Sequence, residues 1–316
     1  MRKPILWIQL VLMTAAWYAA LVAEETESDK DKLVKLEMVR VLPVEGPKRN
    51  QPSGLTISGG KLYAVSDKHD DRIFSVEITD SCAQMKPAYL FSVKPRTRGY
   101  LDFEGLTCDG AGNFYVVSET RCRIIKVVPG SKSGVFVTPD LRPLGKKAGL
   151  FTIKNAFFEG IACLKPGLFM LAVERQPRGL MRVDIRKKDM AVRAWNCDNS
   201  RFDFPTDRSF DFAGLYVYEN TLYALQRNAY LISQIQCRSD GFTEGRAWSY
   251  RHVVYKKEFM YAVMRYGMAE GLCMDRNFVY VILDNNEVPR LRSPGDKRPL
   301  LLILKNPLSA AKPQEK

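Results

Sequence analysis

The apolar runs of this chain recur in a fixed order, each set opened by a small or acidic residue followed by glycine. The openings are PSGLTI at Pro52, FEGLTC at Phe103, FEGIAC at Phe158, FAGLYV at Phe212 and AEGLCM at Ala269. The residue before each glycine falls at 53, 104, 159, 213 and 270, giving spacings of 51, 55, 54 and 57. Each copy continues into a second run (KLYAVSD, NFYVVSE, LFMLAVE, TLYALQR, NFVYVILD) and a third (RIFSVEI, RIIKVV, LMRVDI, YLISQI, PLLLILK). A fourth run, AYLFSVK, VFVT, MAVRAW or RHVVYKK, follows in the first four copies. Short runs rich in Val, Ile, Tyr and Phe and bounded by Gly, Asn and Asp read as strands. Four such strands repeated at this period read as propeller blades.

The fifth copy stops after its third strand near Leu304, while LVKLEMVRVL at 33–42 stands unpartnered ahead of the first copy. Lending that strand to the last blade closes a ring and removes its exposed edges. The expectation is an all-β, single five-bladed β-propeller over 33–305, with 33–42 as the closing strand. Six blades, the alternative, need a further repeat that the chain does not display. Ahead of the ring, Arg2 and Lys3 precede an uncharged stretch from Pro4 to Ala23, the layout of a signal peptide spanning 1–23. Residues 24–32 read as a charged leader and 306–316 as a flexible tail. A stretch of that length also suits an uncleaved N-terminal anchor, but no later run is long enough to span a bilayer. The mature chain is therefore expected to be secreted or periplasmic, without a membrane span, and monomeric.

Composition adds a bias in charge. The chain carries 48 Lys and Arg against 35 Asp and Glu, a net +13 that loss of Arg2 and Lys3 lowers to +11. Such a balance favours anionic partners. The basic residues are scattered and not interleaved with aromatics, so a nucleic-acid groove is not expected and an anionic small molecule is. Seven cysteines show neither CxxC nor zinc-type spacing. In an exported chain they predict one or two disulfides, with Cys197–Cys237 the first choice. Cys108, Cys163 and Cys273 read as small hydrophobes of the inner strands.

The first strand of a blade lines the channel, and the loop entering it shares a mouth with the loop after strand two. Two sets of residues thus converge: Ser53, Glu104, Glu159, Ala213 and Glu270, and Asp67, Glu119, Glu174, Arg227 and Asp284. Converging carboxylates need a cation, a proton or arginine. Calcium, which takes several oxygen ligands in flexible geometry, is the expected cofactor. Its candidate ligands are Glu104, Glu159, Glu270, Glu119, Glu174 and Asp284. Arg175 and Arg227 in the same loops either neutralise the acids or clamp a phosphate or carboxylate. The candidate catalytic residues are Glu104, Glu159, Glu270, Arg227 and His69, the last in SDKHDD. Equally, each Glu-Gly opening can simply bond the backbone of the next blade. No G-x-S-x-G elbow or Walker A loop occurs and histidines number two, which excludes a serine-hydrolase elbow, a P-loop and a histidine-rich centre. His252 reads as a structural residue within a strand.

Openings in E-G-L or E-G-I, each followed by a strand ending Ser-Asp, Ser-Glu or Glu-Arg, resemble the phytase-like "esterase-like activity of phytase" family of exported propellers, over about residues 50–305. The resemblance implies a polar channel mouth, often calcium-associated, and hydrolase activity on anionic phosphate or carboxylic esters. A non-catalytic propeller that binds a ligand or protein is the other class left open. Glu270-Gly271-Leu272 also carries a more distant likeness to calcium-activated apyrase propellers. Ser53 and Ala213 depart from the pattern, so a carried-over metal role rests on Glu104, Glu159 and Glu270.

Overall fold

In the computed structural model every second strand is apolar on both faces: Lys61–Ser66, Phe114–Ser118, Leu168–Val173, Thr221–Gln226 and Phe278–Leu283. A strand with no polar side must be covered twice, and each of the five sheets here is packed against a neighbour on both faces. The structure describes residues 33–95, 99–186, 188–202, 208–239, 241–264 and 268–309. The expected signal peptide and leader, and residues 310–316 of the expected tail, lie outside them.

Each sequence repeat forms one antiparallel sheet, and the sheets meet in a closed cycle of apolar interfaces. Ile73 of the first sheet meets Phe103 and Phe114 of the second, and Val117 of the second meets Phe158 and Leu171 of the third. Leu180 then meets Leu222, Leu225 meets Val281, and Ile282 returns to Leu55 and Phe74. The fold is a β-propeller. Its ring is latched from the N-terminal side, by Met38–Glu45 and not by the whole of 33–42: Leu36 N–H instead donates to Ser249 O of the fourth sheet at 2.9 Å, and Met38–Glu45 runs antiparallel to Leu300–Lys305, with Met38 opposite Leu304 and Pro43 opposite Leu300. Val44 and Glu45 continue parallel to Ala83 and Gln84, so one strand joins the last sheet to the first.

The inner strands, Pro52–Ser58, Phe103–Cys108, Phe158–Lys165, Gly214–Tyr218 and Ala269–Met274, touch backbone to backbone around the centre. A Cβ on Gly54 would lie 2.8 Å from the Leu106 nitrogen, one on Gly105 2.9 Å from Gly160 Cα, and one on Gly160 3.0 Å from Gly214 Cα. On Gly214 it would lie 3.0 Å from the Glu270 carbonyl, and on Gly271 2.8 Å from the Leu55 nitrogen. This mutual approach is the physical reason for the repeated glycine.

Three sequence expectations need correction. RHVVYKK is not an outer strand: Arg251–Val254 is a short helix that buries Val253 and Val254, and His252 lies in it. The outer strand of that sheet is Phe242–Ser249. Its apolar alternation is broken by Glu244, which turns inward to meet buried Arg178 at 3.0 Å. AYLFSVK divides, Ala83–Leu90 staying in the first sheet while Ser92–Lys94 pairs with Ser133–Val135 of the second. All seven cysteines are free thiols. Cys197 follows the outer strand of the third sheet, where its carbonyl accepts Arg178 Nε at 2.5 Å, and Cys237 ends a third strand, not an outer one.

Candidate functional site: a divided carboxylate ring

The inner strands deliver their acids through a backbone device. The pairing register shifts between Pro52 and Gly54, Phe103 and Gly105, Phe158 and Gly160, and Ala269 and Gly271. The residue passed over is Ser53, Glu104, Glu159 or Glu270. A bulge frees its residue from the ladder and re-aims the side chain. The second set follows directly on strand two, and its backbone is tied to the entering loop: Glu119 N–H donates to Asp102 O at 2.8 Å, Glu174 to Phe157 O at 2.9 Å and Asp284 to Met268 O at 2.7 Å.

The ring is divided in two. On one side Arg227 serves four carboxylates. Its Nε donates to Asp211 at 2.9 Å, Nη1 donates to Glu270 at 2.6 Å and lies 3.8 Å from Glu159, and Nη2 donates to Glu174. Arg175 also pairs with Glu174. Of the two roles open to Arg227, the geometry shows neutralisation of the acids: its fork donates to carboxylates. Burial opposes its charge, but Glu270, Asp211 and Glu159 more than offset that and hold the guanidinium ionised.

On the other side stand Asp67, Asp102 and Glu104, each offering one oxygen, all within 4.8 Å of one another. Glu119 is hydrogen-bonded to Asp102 and accepts the Phe157 N–H at 3.1 Å. Burial, with Glu159 and Asp102 nearby, pushes Glu104 well above the usual carboxylate range. Lys68, paired with Asp67, is the cation bonded to this cluster among the described residues. Asp67 Oδ1 is buried without a hydrogen-bond partner. Asp284 accepts Asn286 N–H at 2.8 Å and feels both Lys68 and Arg227, which places it between the halves.

Asp102 and Asp211 were missed by the sequence reading. The signal that finds them is DF before the glycine motif, in DFEG at 102–105 and DFAG at 211–214. Asp102 adopts φ +56°, a left-handed conformation that Asp tolerates. His69 is not drawn into the ring: its ring contacts the Lys48 carbonyl at 3.2 Å and the Phe74 ring edge, and no mouth carboxylate is among its described partners. Among the acids and the glycines of the neck lies a space of only about 10 Å³. Above the Arg227 half a cavity of about 770 Å³ opens, walled by Arg175, Glu270 and Asp284 among others.

A match to a sequence family decides what the repeat is: the phytase-like family, described as "esterase-like activity of phytase", fits residues 51–244. The chain belongs to this family. No curated protein matches it. The phytase-like propeller is similar in fold to glutaminyl cyclase from Myxococcus xanthus, with a TM-score of 0.55 and 10% identity over 87% of this chain and 98% of that one. Weaker likenesses are an aldose sugar dehydrogenase from Streptomyces coelicolor (TM-score 0.45, 12% identity, 86% and 98% covered) and virginiamycin B lyase from Staphylococcus aureus (0.44, 12%, 84% and 98%). No described helix of the phytase-like chain is long and apolar enough to cross a membrane.

The Arg227 half has a pH signature. Burial raises Glu159 to about 8 and Glu270 to about 7, from an ordinary 4.5, despite the nearby guanidinium. Both hold their protons more tightly folded than unfolded. Their contribution to stability is therefore complete below pH 4.5 and is lost as pH rises through 7 to 8. Without divalent cations the melting temperature should fall between about pH 5 and 8.5, and Glu159→Gln should flatten that fall. An equal slope in the variant would deny Glu159 its raised affinity for the proton.

Proposed function

We propose that this propeller is an exported, calcium-assisted hydrolase of anionic phosphate or carboxylic esters. The observation that carries the reading is the half of the ring that arginine does not serve, with three converging carboxylates, one lysine on Asp67 and a buried Asp67 oxygen that has no partner. An all-oxygen donor set of this kind suits calcium. Asp67, Asp102 and Glu104 would hold the ion, replacing the larger ligand set expected from sequence, because Glu159, Glu174 and Glu270 are given to Arg227. Bound calcium would supply positive charge that polarises an ester oxygen and acidifies water.

The chain's own residues supply the rest. Arg175, one-third exposed at the cavity wall, is placed to receive the anionic group of a ligand. Glu270 lines the same cavity and keeps Oε2 unpartnered after giving Oε1 to Arg227, so it is our choice to accept a proton from water. The excess of basic residues outside the mouth favours the approach of anions.

Calorimetric and melting titrations with calcium test the metal step. At one hundred times Kd, binding to the folded form adds about 2.7 kcal/mol of stability, and Asp67→Asn should remove most of that gain. An unchanged melting curve in millimolar calcium would refute the metal site. With calcium bound, aryl phosphates and aryl carboxylic esters are then offered to the wild type and to Glu270→Gln. Turnover lost in the variant with calcium binding retained supports hydrolysis. Calcium binding without turnover of either class would make this a binding propeller.

A further inference from the structure

The cation in the loop after strand two differs between the two halves in a way the proposed ion site does not by itself explain. Lys68 follows Asp67, and its ammonium pairs with Asp67 Oδ2 while Oδ1 of the same carboxylate stays buried and unpartnered. Asp102 and Asp284 also pull on it. Compare Arg227, which is locked among four carboxylates with its side chain 13% exposed. Lys68 is bonded to one carboxylate and is 30% exposed. Lysine presents a point charge on a flexible stem with rotatable donors, whereas arginine is a fixed fork. The first is displaceable where the second is not.

We infer that Lys68 is a tethered ammonium that competes with the divalent cation for Asp67 and, once displaced, binds the anionic group of the ligand. This inference rests on the ion site proposed above. Two positive charges cannot share one half-buried carboxylate without mutual repulsion, so entry of the ion at Asp67, Asp102 and Glu104 frees the ammonium. The backbone of Lys68 stays fixed by its N–H bond to Ser66 Oγ at 3.2 Å, so the freed group swings on its stem at the mouth. There it adds to the positive charge that an anion meets. Ion and anion then bind with positive coupling, each favouring the arrangement that suits the other.

The test is Lys68→Met, which keeps most of the stem and removes the charge, with calcium and inorganic phosphate as probes in calorimetry. Relative to the wild type, the variant should bind calcium about tenfold more tightly, about 1.4 kcal/mol. It should also lose at least tenfold in phosphate affinity measured at saturating calcium. Lys68→Arg should lower calcium affinity again without restoring phosphate binding, because a fixed fork is not released from Asp67. Unchanged or weaker calcium binding in Lys68→Met overturns the competition, and undiminished phosphate binding overturns the hand-over. If the wild type and Lys68→Met both fail to bind calcium, the ion site itself is wrong. Matching melting curves in chelator show that the variant is folded.

Discussion

Gly105→Ala should cost about 3 kcal/mol or more in denaturant unfolding, against roughly zero for Gly110→Ala. Overpacking a tight interior costs about 1–3 kcal/mol when side chains can yield. Here they cannot. The added carbon would meet Gly160 Cα and the Ile161 nitrogen at 2.9 Å, both backbone atoms of the next inner strand. That strand is in turn pressed against Gly214, so relief at one contact tightens another around the ring. Gly110 sits in an exposed turn, where an added methyl group would find nothing within 4 Å and where the backbone is not left-handed. Equal midpoints and slopes for the two variants would show that the neck tolerates expansion and that its glycines have another cause.

Arg227→Met should lose about 3–5 kcal/mol at pH 8, the usual cost of stripping one partner from a buried ion pair. Asp211, Glu159, Glu174 and Glu270 would then face one another with Arg175 as the remaining guanidinium on Glu174. Burial already raises two of those acids, Glu159 to about 8 and Glu270 to about 7. Part of the loss should therefore return at about pH 5, where protons replace the missing charge. Urea unfolding at both pH values measures this. A variant within about 0.5 kcal/mol of the parent, the range of ordinary surface changes, would mean that the four acids are stabilised by something other than Arg227.

The sequence revealed the repeat because backbone contact at the neck leaves glycine no substitute, and a residue without alternatives is visible at every copy. It revealed the acids for a related reason: Glu104, Glu159 and Glu270 occupy the bulged position in three copies of one motif. What it concealed depends on partners distant in the chain. The direction of Arg227 is decided by Glu270 and Glu174, 43 and 53 residues away, and no spacing rule says whether a guanidinium will choose acids or a ligand. Phe242–Ser249 escaped notice because Glu244 reads as solvent-facing until Arg178, 66 residues earlier, is placed beside it. Asp102 and Asp211 escaped because the Asp-Phe pair marks two repeats of the five.

The latch strand has a kinetic consequence. Glu37 and Lys305, joined across it at 3.2 Å, are 268 residues apart, and the entropy of closing so long a loop is about 5 kcal/mol before its constant part. On a ribosome, Leu300–Lys305 is made after every other strand of the ring, so Met38–Glu45 waits throughout synthesis with one edge unsatisfied. During that wait the nascent chain presents an open strand edge to its neighbours, and its hazard is association with other chains. Once Leu302 is seated opposite Val41, unfolding has to reopen that same contact. The step that makes folding slow thereby also prolongs the lifetime of the finished ring.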